Sequence, residues 1–160
     1  MKKLDLLGLK FCKYQAEIFE QSNRRFMCSS KLFIRRFFNS NFAFCLDLPK
    51  DKIFSFETEE CFESIIDEYG DSTYGSEKFN DKVMYYLGYL TRYICYTREM
   101  TSSHLFSVID VYDIARNYYT YHTQDEEWVI ATLLEKQNLT ENDLNEEEIL
   151  KNLFRKLDKK

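Results

Sequence analysis

Apolar residues along this chain recur at steps of three and four rather than two, a period that predicts helices. Leu4, Leu7, Phe11, Tyr14 and Ile18 fall on one stripe, which predicts a first helix over 5–21. "CSSKLFIRRFFNSNF" opens with serines suited to capping and predicts a second helix carrying Leu32, Phe33, Phe37 and Phe38. A connection around Pro49, with room for a short extended piece, leads to a third helix capped by Thr58 and burying Phe62, Ile65, Ile66 and Tyr69. Two of the four glycines lie in "YGDSTYGSEKFND", which reads as a loop over 70–79.

A fourth helix is predicted over 82–98. Val83, Leu87, Leu90 and Ile94 form one stripe and Tyr86, Tyr89, Tyr93 and Tyr96 a second, as in the central helix of a bundle. Gly88 and Arg92 share a face, and the missing side chain at Gly88 invites close approach by another helix. Shorter helices follow. Ser102 or Ser103 can cap one, Asp110 can cap "VYDIARNYY", and Thr123 with Glu126 makes a capping box for a helix burying Trp128, Val129, Leu133 and Leu134. Asn145 and Glu148 make another box for a last helix over 146–157, striped by Ile149, Leu150, Leu153, Phe154 and Leu157. Its acids come first and its bases last, in agreement with the helix dipole.

The expected architecture is therefore all-α: a single compact helical domain over 1–160, a bundle with orthogonal short helices. The motif S-S-x-L-F occurs at Ser29 and at Ser102, each time after a long helix carrying a Leu-Gly pair. Two related halves, 1–69 and 80–135, would account for this; so would chance, because the motif is a generic helix start.

Composition narrows the function. The five cysteines are an odd number without a C-x-x-C, and only two histidines occur, so free thiols in a reducing cytoplasm are expected, with no metal and no cofactor. No apolar run approaches the roughly 20 residues of a membrane span, so no membrane partner is expected. A net charge of −5 disfavours nucleic acid as the partner. Bases dominate through Arg36 and acids dominate over 110–148, a division that suits internal complementarity or a charged partner.

Three constellations bear on chemistry. Arg116, Asn117 and His122 resemble the motif of HEPN-type four-helix ribonucleases, in which the histidine moves a proton and the arginine steadies phosphate charge. On one unbroken helix, however, six residues leave the two side chains roughly 120° apart, so convergence requires a bend. Ser102–Ile109 followed by Val111–Tyr119 has the spacing of a DNA-binding helix pair, an autoregulator's signature, but it lies in an acidic region. Finally Tyr85, Tyr86, Tyr89, Tyr93, Tyr96, Tyr112, Tyr118, Tyr119 and Tyr121 are too many hydroxyls to hide, and tyrosine is enriched where proteins meet partners.

Gly88, Tyr89, Arg92, Tyr93, Ser102, Ser103, Tyr119, His122 and Thr123 together resemble a small bacterial family with a G-Y-x-x-R-Y helix and a later Y-H-T turn. That family is encoded beside ADP-ribosyltransferase-like toxins, and the resemblance implies an antitoxin or accessory role. The expectation is a non-catalytic protein-binding partner, with Arg92, Tyr93, Tyr121 and His122 organising the partner face or the fold beneath it. The rival is a ribonuclease using Arg116 and His122. Oligomeric state is left open.

Overall fold

The computed structural model describes residues 1–48 and 54–159, apart from the side chains of Glu148 and Asn152. The connection around Pro49 lies outside the described residues. Among them the chain is all-helical: α1 (Leu6–Arg25), α2 (Ser30–Phe38), α3 (Asn41–Asp47), α4 (Thr58–Tyr69), α5 (Asp81–Arg98), α6 (Ser102–Val108), α7 (Tyr112–Arg116), α8 (Tyr118–Tyr121), α9 (Glu126–Lys136), α10 (Glu141–Leu144) and α11 (Glu146–Asp158).

The two long helices, α1 and α5, pack antiparallel along the centre. Each places its glycine against the other: Gly8 faces the ring of Tyr96, and Gly88 faces the backbone of Gln15 and Ala16. Phe11, Tyr14 and Ile18 of α1 are buried as their stripe predicts, but Leu7 is exposed, because the stripe outruns the neighbouring helices in the first turn. Around α1, the rings of Phe19, Phe26, Phe33, Phe37, Phe38 and Phe62 meet largely edge-to-face. Such ring contacts add about 0.5–1.5 kcal/mol each beyond the area they bury. The loop at 70–80 stays irregular yet is tied down: Ser29 N–H donates to the Tyr74 carbonyl and Ser30 N–H to that of Glu77.

Several caps differ from those the sequence suggests. Thr101 rather than Ser102 caps α6, accepting from the His104 N–H, and Asp125 rather than Thr123 caps α9, accepting from the N–H groups of Glu127 and Trp128. Thr58 does not cap α4; its hydroxyl donates to Gln21. The Asn145–Glu148 box rests on a side chain outside the described set. Trp128, expected in the core, is 47% exposed.

Candidate partner-binding face

The G-Y-x-x-R-Y helix and Ser102, the first of the two serines that follow it, meet at one buried junction. Gly88 lets α1 come close enough for Gln15 Nε2 to donate to the Gly88 carbonyl and to Thr91 Oγ1. Gln15 Oε1 then accepts from Arg92 Nε at 2.8 Å. Arg92 Nη1 donates to Asp47 Oδ1 at 2.8 Å and Nη2 donates to Ser102 Oγ at 2.9 Å. Asp47 also accepts from the Ser102 hydroxyl and backbone N–H, so α1, α3, α5 and α6 converge on a single network. Both side chains of the ion pair are only 2% exposed. Burial opposes the charge on Arg92, but Asp47 beside it more than compensates and holds the guanidinium protonated.

A cavity of about 330 Å³ opens above this pair, walled by Leu46, Leu48, Cys95, Tyr96 and Met100. Burial pushes the Cys95 thiol up to about 12, so it is protonated and inert at neutral pH. The pair therefore works as architecture.

A second polar knot stands beside the first. Arg98 donates to both carboxylate oxygens of Glu127 and to Glu141, while the Tyr93 hydroxyl donates to Glu127 Oε1 at 2.7 Å. These bonds, Arg98's foremost, hold the Glu127 carboxyl below its ordinary value of 4.5. A depressed folded-state value means the knot stabilises above the ordinary glutamate range and weakens as pH falls through the folded-state value. The expected outcome is that Glu127→Gln lowers stability at neutral pH, and that its difference from wild type shrinks as urea titrations move below that range.

Arg116 and His122 do not share a site. The chain breaks between α7 and α8 at Asn117, with φ −111° and ψ 22°. Arg116 turns back to Asp110, Nη2 to Oδ2 at 2.8 Å, and lies 3.8 Å from Asp113. His122 sits in the connection between α8 and α9, where its ring stacks on Tyr118 at 4.3 Å and Nδ1 meets the Tyr118 carbonyl at 2.7 Å. The bend that convergence requires is present, but it sends the guanidinium to carboxylates and the imidazole to a tyrosine. As a DNA-reading element α7 is five residues long, and its arginine is held by acids.

His122 instead lines an open groove of about 420 Å³ with Tyr85, Tyr86, Tyr118, Lys82 and Glu20. Tyr86 and Tyr118 meet edge-to-face at 5.8 Å, and Tyr119, beside them, is 78% exposed. The Tyr86 hydroxyl is buried with no hydrogen-bond partner. Leaving a buried hydroxyl without a protein partner costs about 1–3 kcal/mol, so such groups are uncommon in folded chains.

Of the four residues named for the partner face, only His122 reaches this groove, where it joins Tyr85, Tyr86 and Tyr118 of the tyrosine surplus. Arg92 is closed off at the junction. Tyr121 is 3% exposed, with its hydroxyl toward Asp113, and Tyr93 is committed to Glu127. These three belong to the fold beneath the face. Sequence reading missed Gln15 and Asp47, although each carried a signal. Gln15 is a lone polar residue four beyond Phe11 on an apolar stripe, and Asp47 is a lone acid between Leu46 and Leu48.

Among the described residues no cluster of histidine, cysteine and acidic side chains could hold a metal ion. Comparison of the chain with protein-family models, curated proteins and solved structures finds no match.

Proposed function

We propose that this chain is a non-catalytic, cytoplasmic protein-binding partner, the antitoxin or accessory member of a toxin locus. The observation that supports this reading most is the groove of Tyr85, Tyr86, Tyr118 and His122, with its unpaired Tyr86 hydroxyl. Tyrosine anchors that combine a flat apolar face with a hydroxyl dominate many protein interfaces, and the Tyr86 hydroxyl, buried and unpaired in the free chain, gains a bond when docking turns its ring toward a partner's acceptor. Five free cysteines accord with a reducing compartment. The antitoxin context comes from the family that the G-Y-x-x-R-Y helix and Y-H-T turn resemble.

Co-expression with the product of the neighbouring gene, followed by size-exclusion chromatography, tests the proposal. A single co-eluting peak is expected, and two separate peaks from the wild-type pair would overturn it. Tyr86→Phe sharpens the test, because the substitution has opposite effects on the two states. Removing an orphaned hydroxyl raises the stability of the free chain by about 1 kcal/mol, while loss of the bond to the partner weakens the complex about fivefold or more.

A further inference from the structure

The cavity above the Arg92–Asp47 pair is lined by donors that the fold does not use. Arg92 is 2% exposed and forms part of its wall. Its Nε, Nη1 and Nη2 each donate one hydrogen bond, to Gln15, Asp47 and Ser102. Each Nη carries a second hydrogen. Neither of these has an acceptor among the described residues, whereas buried donors are ordinarily matched.

The walls indicate what would bring an acceptor there. Leu46, Cys95 and Met100 are buried and present apolar surface, and the Cys95 thiol, protonated at neutral pH, adds a soft apolar contact rather than an anion. At about 330 Å³ the space falls at the lower end of the roughly 300–1,000 Å³ of small-molecule pockets. Hydrocarbon walls of this extent favour an apolar body over water.

Charge decides between the acceptors. The cations of the cavity are matched one for one. Arg92 pairs with Asp47 at 2.8 Å, while Lys2 at the rim lies over the Tyr96 ring and reaches Glu99 at 4.0 Å. A carboxylate would bring an unmatched negative charge beside Asp47 and Glu99, which is costly where water is excluded. A carbonyl oxygen accepts from the guanidinium and adds no charge.

We propose that this cavity is a binding site for a small, neutral, largely apolar molecule bearing a carbonyl group. The oxygen accepts from the second Nη hydrogens of Arg92, and the apolar body lies against Leu46, Cys95 and Met100. The site is separate from the tyrosine groove and stands or falls without it.

Spectra of the full chain labelled with carbon-13 at the methionine methyls test this with probes of one shape. They are acetophenone, α-methylstyrene, in which a methylene replaces the carbonyl oxygen, and benzoate, which is charged. Met100 lines the cavity and is assigned through Met100→Leu; exposed Met27 and core Met84 lie outside the lining and serve as controls. Acetophenone should shift the Met100 resonance saturably and leave the controls in place. α-Methylstyrene should bind at least about tenfold more weakly, through loss of one hydrogen bond to a charged donor. Benzoate should also bind more weakly than acetophenone. Cys95→Met, which carries extra atoms into the cavity, should abolish the response, and Tyr86→Phe should respond as wild type does. The proposal is overturned by a Met100 methyl that acetophenone does not move, by shifts spread equally over the methionines, by α-methylstyrene or benzoate binding as tightly as acetophenone, or by an undiminished response in folded Cys95→Met. The probe comparison is read on wild type, so it decides the matter even if Cys95→Met fails to fold.

Discussion

Arg92→Ala is expected to cost about 3–5 kcal/mol of folding stability, because it leaves the Asp47 carboxylate buried without its cation. The loss reaches further than the ion pair. Gln15 Oε1 and Ser102 Oγ each lose a donor at the place where α1, α3, α5 and α6 meet. Against a typical total of about 5–15 kcal/mol, the variant would be largely unfolded or close to it near body temperature. Arg92→Lys should fail nearly as badly, since one ammonium cannot reach the three acceptors that a planar guanidinium serves. Urea titration followed by circular dichroism checks both. A midpoint within the range of ordinary surface substitutions would contradict the architectural role.

Gly88→Ala is the second large effect. A Cβ built there would lie 2.6 Å from the Gln15 carbonyl oxygen and 2.9 Å from the Ala16 Cα. Both are backbone atoms of α1, so relief requires the two central helices to separate and Gln15 to leave its acceptors. Alanine returns about 1 kcal/mol through its better helix propensity. Overpacking of a tight core costs about 1–3 kcal/mol, and here the loosened Gln15 bonds add to it, so a net loss of about 2 kcal/mol is expected. Gly8→Ala is the control. Its new methyl meets the ring of Tyr96, a partly exposed side chain that can swing aside, and the loss should be smaller. Equal losses at the two glycines would show that the backbone contact at Gly88 adds no cost of its own and would contradict the close approach as its cause.

These two residues also show what the chain reveals about itself. Period alone places the long helices, and the bare side of Gly88 is visible because a glycine within an otherwise strong helix-former needs a packing reason. Arg92 stands out for the same kind of reason, as a cation on a helix apolar around much of its circumference. Its partners were harder to find. Asp47 is 45 residues away along the chain, and nothing local links the two; only tertiary packing does. The same limit applies to Arg116 and His122. Their spacing suggests a shared site, but a break at Asn117 and the nearby Asp110 decide where the arginine goes. The stripe of α11, exposed at Leu150, Leu153, Phe154 and Leu157, marks the opposite case, in which the helix is legible and its environment is not. An amphipathic pattern states that a face must be covered without stating by what.

A double-mutant cycle on Asp47 and Arg92 tests most directly whether the buried junction is separate from the proposed partner surface. Either single apolar replacement, Asp47→Leu or Arg92→Met, should unfold or strongly destabilise the chain, whereas the pair together should recover much of the loss, since matched apolar residues can replace a buried ion pair. The predicted result is that the refolded double variant still co-elutes with the partner on size-exclusion chromatography. A double variant that is folded by circular dichroism yet no longer binds would place Arg92 or Asp47 in the contact itself and contradict the account.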